Sequence, residues 1–363
     1  MITVKAPGKL YIAGEYAVLE HGHPAVIAAI NQYLTAQIQP SSDHNFGTIT
    51  SIYSHNQPLI WYRKQGQAQL QETNNDFRYI ITAINLAEAY VKAMGKPLSY
   101  FNLQFISSLD DNGTKYGFGS SGAVTVATIK AVLSYYQIPF THDLIYKLSV
   151  LTQLELRENG SFGDIAASTY GGWIAYSTFD RKWLLNKMDE LPLTELLHTQ
   201  WSDLRIEPLP KPDLDLVIGW TGIPSSTSNL VDQVKDDLHH HTISPVTFSY
   251  EDFLTSAKQI VEKLIQAFYQ NDTELICQKV DHYYHLLLKF AQMTNINLET
   301  KQLKTLTSIA NELNIIAKPS GAGGGDCGIA LVKPHQNSQQ LTTRWEQNGI
   351  VPLTNINVYF ENN

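Results

Sequence analysis

Hydrophobic and polar positions alternate in distinct registers along the chain. Short apolar runs from Ile2 to Ile12, broken at Pro7-Gly8, predict strand, turn, strand. Alternation in Tyr33-Leu34-Thr35-Ala36-Gln37-Ile38 predicts a half-buried strand. Residues 40–75 are polar, with strand-like segments at Ile49–Tyr53 and Ile60–Tyr62, and read as hairpins and loops. Phe77, Ile80, Ile81, Ile84, Ala87, Val91 and Met94 then fall at helical spacing, and Gly95 and Pro97 end that helix. A strand from Phe101 to Ile106 leads to a glycine-rich turn at 117–122 and a helix from about Ala123 to Tyr136. A further helix begins near Asp143, its expected N-cap, and runs to about Glu158. A strand follows across Gly171–Tyr176.

Arg205 to Pro212 holds prolines at 208, 210 and 212 and reads as stiff, extended chain, which places a domain boundary nearby. Beyond it come a strand at Leu214–Trp220 and a long loop at 223–248 with a short helix near Leu230–Leu238. Helices are expected at about 250–270, 272–292 and 298–314, and strands at Ile315–Lys318 and Cys327–Val332. A helix near 337–348 and a last strand at Val351–Phe360 complete the pattern. Helices and strands mix without regular alternation, which favours an α+β class.

With 363 residues, 43% hydrophobic and 17% charged, the chain has a globular composition. No apolar run approaches the ~20 residues of a membrane span, and the N-terminal segment carries no signal-like apolar stretch. The expectation is a cytoplasmic protein without a membrane partner. A formal net charge of −8 argues against nucleic acid and requires any anionic ligand to be held by local groups. Cys277 and Cys327 form no C-x-x-C pair and read as buried free thiols. The internal run His239-His240-His241 reads as a solvated loop.

Two glycine-rich segments carry candidate chemistry. Gly117-Phe118-Gly119-Ser120-Ser121-Gly122 joins a strand to a helix, so its backbone N–H groups and the helix start could cradle phosphate, or it could be a tight turn with a serine cap. It is not a Walker A loop, because no Gly-Lys-Ser/Thr follows. Lys318 to Gly328 carries Gly321, Gly323, Gly324, Gly325 and Gly328 between strand-like flanks, which fits a rigid loop beside a ligand better than a linker. Asp164, after the turn Asn159–Gly163, reads equally as a group that accepts a proton or orients a hydroxyl and as a helix N-cap. Lys9, after Pro7-Gly8, reads as a charge-neutralising ammonium or as a surface lysine.

In combination these segments resemble the GHMP kinases. Ala6-Pro7-Gly8-Lys9 with Gly14-Glu15-Tyr16 is similar to the family's first motif, Gly117–Ser121 to its second and Lys318–Gly325 to its third. Within the superfamily, Tyr16, Asn159–Asp164, Gly219-Trp220-Thr221 and the Asp326-Cys327 step resemble the phosphomevalonate kinases of Gram-positive bacteria. The resemblance implies a two-domain α+β fold. An N-terminal nucleotide-binding domain would span 1–200 and a ferredoxin-like C-terminal domain 201–363, with the site between them.

It implies ATP-dependent phosphorylation of 5-phosphomevalonate. Lys9 and Asp164 would be catalytic. Gly117, Gly119, Ser120, Ser121 and Gly122 would hold the ATP phosphates, with Ser121 on Mg2+. Tyr16, Ser161, Ser228, Ser320, Gly321, Ala322, Gly323 and Gly324 would contact the acceptor. The resemblance also marks a departure: mevalonate kinases carry a Mg2+-binding Glu where this chain has Gln153. The alternatives are another small-molecule kinase of the family, mevalonate kinase first, or a non-catalytic binding protein on the same fold.

Overall fold

The computed structural model describes residues 1–72, 74–111, 114–223, 230, 232–234 and 248–360. Two strands organise it. β1 (Ile2–Ala13) and β2 (Pro24–Pro40) form a long antiparallel ladder from Ile2↔Ile38 to Ala13↔Val26. Pro7-Gly8 does not break β1; it marks a register shift inside it, because the missing proline N–H is absorbed at a bulge. The first half of β2, Pro24–Ile30, lacks the alternation that marks Tyr33–Ile38. Every residue in it is buried, so both faces of the strand are covered.

β3 (Gly47–Thr50), β4 (Leu59–Lys64), β5 (Gln67–Leu70) and β6 (Phe101–Ser107) extend this sheet on one side. A two-residue ladder, β7 (Asp110–Asp111) with β8 (Thr114–Lys115), precedes the first glycine loop. β9 (Trp173–Ser177) and β10 (Arg205–Leu209) complete the sheet in the order β10-β9-β2-β6-β3-β4-β5, with β1 on β2. The proline-rich segment is therefore partly an edge strand, where Pro208 leaves no interior ladder bond unmade.

Helices α1 (Arg78–Ala93), α2 (Ser120–Tyr135), α3 (His142–Glu155) and α4 (Gly163–Tyr170) pack together and against the sheet. α3 is capped by Thr141, whose side chain accepts from the Leu144 N–H; Asp143 lies inside the first turn, where it pairs with Lys147 at 2.8 Å. That corrects the expected Asp143 cap. Two helices were not expected from the pattern, α5 (Arg181–Glu190) and α6 (Leu193–His198).

A second, antiparallel sheet runs β12-β13-β11-β14, from β11 (Asp215–Trp220), β12 (Ile316–Pro319), β13 (Cys327–Val332) and β14 (Val351–Pro352). α9 (Lys301–Glu312) and α10 (Ser338–Gln347) close a small core on it around Leu306 and Trp345. The long pair α7 (Tyr250–Gln270) and α8 (Thr273–Thr294) packs instead toward the larger sheet. Phe268 lies 5.2 Å from Trp173, and Phe290 5.0 Å from Tyr16. The expected last strand is only two residues long. Its continuation leaves the small sheet, and Val358 bridges to Ile30 of β2. Most of the expected loop and short helix between 223 and 248 lies outside the described residues. The fold is α+β, built on two sheets.

A buried ion pair fastens the outer part of the larger sheet to its helices. Arg63 of β4 donates to Glu88 of α1 at 2.8 Å through Nε, and Tyr136 donates to the same carboxylate at 3.0 Å. Removing one partner of such a pair strands the other charge. Glu88→Ala is expected to lower unfolding free energy by about 3–5 kcal/mol in urea titrations. A loss below about 1 kcal/mol, the scale of an exposed pair, would contradict the structural role given to it.

Candidate active site

β1 carries Lys9 to the start of α2, where its backbone N–H bonds the Phe118 carbonyl at 2.9 Å. The side chain is 9% exposed, and its ammonium donates to the Gly117 carbonyl at 2.9 Å. It is not the surface lysine that the local sequence allowed. Gly119 sits between this chain and Asp164. Its φ is +78°, and a Cβ there would lie 3.0 Å from Lys9 Cγ and 3.1 Å from Asp164 Cβ. Both the backbone conformation and the close approach therefore require glycine.

Asp164 lies in the first turn of α4, behind Phe162 rather than at the cap position itself. The backbone amides of Ile165, Asp164 and Gly122 lie beside its carboxylate and favour its charged form. The starts of α2 and α4 thus converge on one carboxylate, each supplying unpaired N–H groups and a favourable dipole. Burial nonetheless outweighs these amides and the attraction of Lys9, and holds the carboxyl above its ordinary range. Gly122 serves the same contact, since a Cβ there would meet Asp164 Oδ2 at 2.6 Å.

These groups line one side of a cavity of about 970 Å³. Gly117, Gly119, Ser120 and Ser121 border it, as do Tyr16, Ser161, Gly321 and Ala322 from other segments. Gly122, Ser320, Gly323 and Gly324 are not on its wall. Ser320 instead donates to the Tyr11 carbonyl at 3.0 Å, and the Gly324 N–H bonds the Leu298 carbonyl at 2.9 Å. Ser228 lies outside the described residues. Gln153, the position of the departure noted in the sequence, borders the cavity and is buried, and its Nε2 has no partner among the described residues. Glu158 is held by Arg78 and Tyr79 at 2.9 and 2.6 Å.

Three features escaped the sequence reading. Tyr11 reaches Ser161 Oγ at 2.9 Å, and burial raises its hydroxyl pKa. Asp326 borders the cavity and packs against Gly117. Glu15 pairs with Lys318 at 2.5 Å, both buried. A lysine inside an otherwise apolar strand, Ile315-Ile316-Ala317-Lys318, was the available signal for the last. Elsewhere, His21, Asp180 and Asp203 cluster at the surface, where they have structural duties: His21 pairs with Asp203 at 2.8 Å and Asp180 caps α5.

Comparison with known proteins bears on the family and the fold. Residues 78–172 match the family model for the GHMP kinases N-terminal domain, and residues 264–351 the model for the GHMP kinases C-terminal domain. A Streptomyces phosphomevalonate kinase is 32% identical, with 97% of this chain and 96% of that protein covered. A Pyrococcus horikoshii mevalonate kinase is 27% identical, covering 97% and 94%. The Streptococcus pneumoniae phosphomevalonate kinase, solved with phosphomevalonate and AMPPNP, superposes with a TM-score of 0.84 at 32% identity over 99% of this chain and 100% of that one. A Listeria innocua protein of known structure gives 0.88 at 35%, covering 99% of each chain. The chain belongs to the GHMP kinase family, on the branch of the phosphomevalonate kinases.

Proposed function

We propose that this chain transfers the γ-phosphoryl group of ATP to (R)-5-phosphomevalonate, giving (R)-5-diphosphomevalonate and ADP. The observation that carries the reading is the meeting of Lys9, Asp164, the 117–121 loop and Gly321-Ala322 around one cavity. The complex of the pneumococcal relative with phosphomevalonate and AMPPNP supports the choice of substrates. The division into domains 1–200 and 201–363, with the site between them, is part of the same proposal.

The reaction brings two anions together, so positioning and charge neutralisation dominate over covalent chemistry. The 117–121 loop and the start of α2 hold the nucleotide phosphates through backbone N–H groups and the hydroxyls of Ser120 and Ser121. Lys9, anchored on the Gly117 carbonyl, faces the transferring group and the acceptor phosphate. A phosphate monoester is already mostly ionised at neutral pH, so no base is needed to activate it. Asp164 therefore orients Lys9 and the acceptor. Tyr16, Ser161 and the 320–324 segment form the acceptor side, Gly321 and Ala322 by contact and their neighbours by holding the loop.

Mg2+ prefers hard oxygen ligands and usually keeps several waters. The Ser121 hydroxyl is the donor assigned to it, and the same wall carries further hard oxygens in the carboxylates of Asp164 and Asp326 and in the Gln153 side chain. When bound, it would neutralise charge on the nucleotide phosphates.

Two measurements test the reading. ADP release is followed with 5-phosphomevalonate and mevalonate side by side. Activity with the phosphorylated acceptor is expected, and activity with mevalonate alone would overturn the assignment. In the same assay Lys9→Ala is expected to lower kcat by about 10²–10³-fold, the scale of losing one transition-state donor, in a folded protein. Near-normal turnover would remove Lys9 from its role.

The second concerns Asp164. Its carboxyl binds a proton more tightly in the folded than in the unfolded chain, so this group favours folding at acid pH. That contribution is lost as pH rises from the ordinary carboxylate value through the raised one. Asp164→Asn is expected to abolish turnover yet raise Tm relative to the unaltered chain at neutral pH, with the gain shrinking toward acid. A Tm difference that does not change between acid and neutral pH would contradict the burial argument.

A further inference from the structure

We propose that Glu15 is a positioning residue for the transfer reaction, its carboxylate clamping the second glycine-rich loop, Lys318–Gly328, in the conformation that receives the acceptor. This role rests on the reading of that loop as the acceptor side. Glu15 Oε1 accepts from Lys318 Nζ at 2.5 Å and from the Gly321 N–H at 3.3 Å. Lys318 also donates to the Pro319 carbonyl at 2.6 Å, a bond local to the start of the loop, so the contact that reaches from the corner to Gly321 is the carboxylate's. The next residue of the corner, Tyr16, donates to the Ala322 carbonyl at 2.6 Å. Gly321 and Ala322 lie on the cavity wall.

Stability is a poor explanation for this pair. Lys318 is fully buried and Glu15 is 3% exposed, and taking both charges from water offsets most of their attraction. The other carboxylate oxygen, Oε2, is buried and has no partner among the described residues, although Glu15 borders the cavity. An arrangement selected only for folding would replace such a pair by apolar side chains. The chain around it is strained to deliver it: Tyr16 has φ +62°, a conformation that side-chain-bearing residues avoid. A loop rich in glycine has many alternative conformations, so a fixed acceptor for its Gly321 N–H selects one of them.

Two neutral double variants of the full chain separate clamping from folding. Glu15→Leu with Lys318→Met fills the space and removes every bond that the Glu15 carboxylate makes to the loop. Glu15→Gln with Lys318→Met is equally uncharged but keeps an oxygen for the Gly321 N–H. The first is expected to speed amide exchange across 319–326 at least ~10-fold and to raise the acceptor KM ~10-fold, with the nucleotide KM within ~2-fold. The second should stay within ~3-fold of the unaltered chain on all three readouts. Identical behaviour of the two variants, or unchanged exchange in the first, would overturn the clamp. If neither folds, exchange at the Gly321 amide of the unaltered chain decides: protection supports the clamp, and the rate of a free loop amide refutes it. Exchange reads the clamp without turnover, whereas the substrate assay on the unaltered chain tests the function itself.

Discussion

A carboxylate kept out of water sets the terms for the rest of the site. Asp164 is buried, and a buried charge needs compensation from fixed dipoles or an opposite charge. Two helix starts and Lys9 supply it together. For that, α2 and α4 must begin within hydrogen-bond reach of one side chain, which demands glycine at 119 and 122. It also requires β1 to run directly beneath α2, which the Lys9–Phe118 backbone bond records. The long β1–β2 ladder is the rigid base from which this geometry is held.

The same base explains how chain segments 300 residues apart share a cavity. The end of β1 and the corner after it offer the Tyr11 carbonyl, the Glu15 carboxylate and the Tyr16 hydroxyl. The second glycine loop takes all three attachments within Ser320–Ala322, and the Gly324 N–H adds a fourth, to Leu298. Tyr283 of α8 secures the corner in turn by donating to the Glu15 carbonyl at 2.7 Å. Ser320 and Gly324 therefore hold the loop without lining the cavity. A resemblance between motifs marks a loop as part of a site, but it does not distinguish the residues that touch the ligand from those that hold them.

Where the sequence was legible, a local rule had no competitor. The amphipathic helices at Arg78–Ala93, Tyr250–Gln270 and Lys301–Glu312 were visible from period alone, because each has one apolar face and one wet one. Pro24–Ile30 was not, because a strand covered on both faces shows no alternation. The final segment misled for another reason. Val351–Phe360 is strand-like in composition, but its later part pairs with the larger sheet, a long-range choice that no local pattern encodes. At the site, glycine density and the Pro7-Gly8-Lys9 segment were legible chemistry. The Glu15–Lys318 pair was not, because a charge's burial depends on partners about 300 positions away.

These observations converge on one physical requirement of the chemistry. Bringing a phosphate monoester against a nucleotide polyphosphate is opposed by charge at every step of approach, and flexible donors would have to reorganise as charge shifts. Glycine-rich loops present backbone N–H groups closely, but left alone they lose much conformational entropy on ordering. In this chain that ordering is already done by the protein. The first loop is held by Lys9 on the Gly117 carbonyl and by the start of α2, the second by Ser320, Glu15 and Tyr16. Much of the binding energy of the two anions then goes to aligning them for transfer and little of it to ordering the walls that receive them.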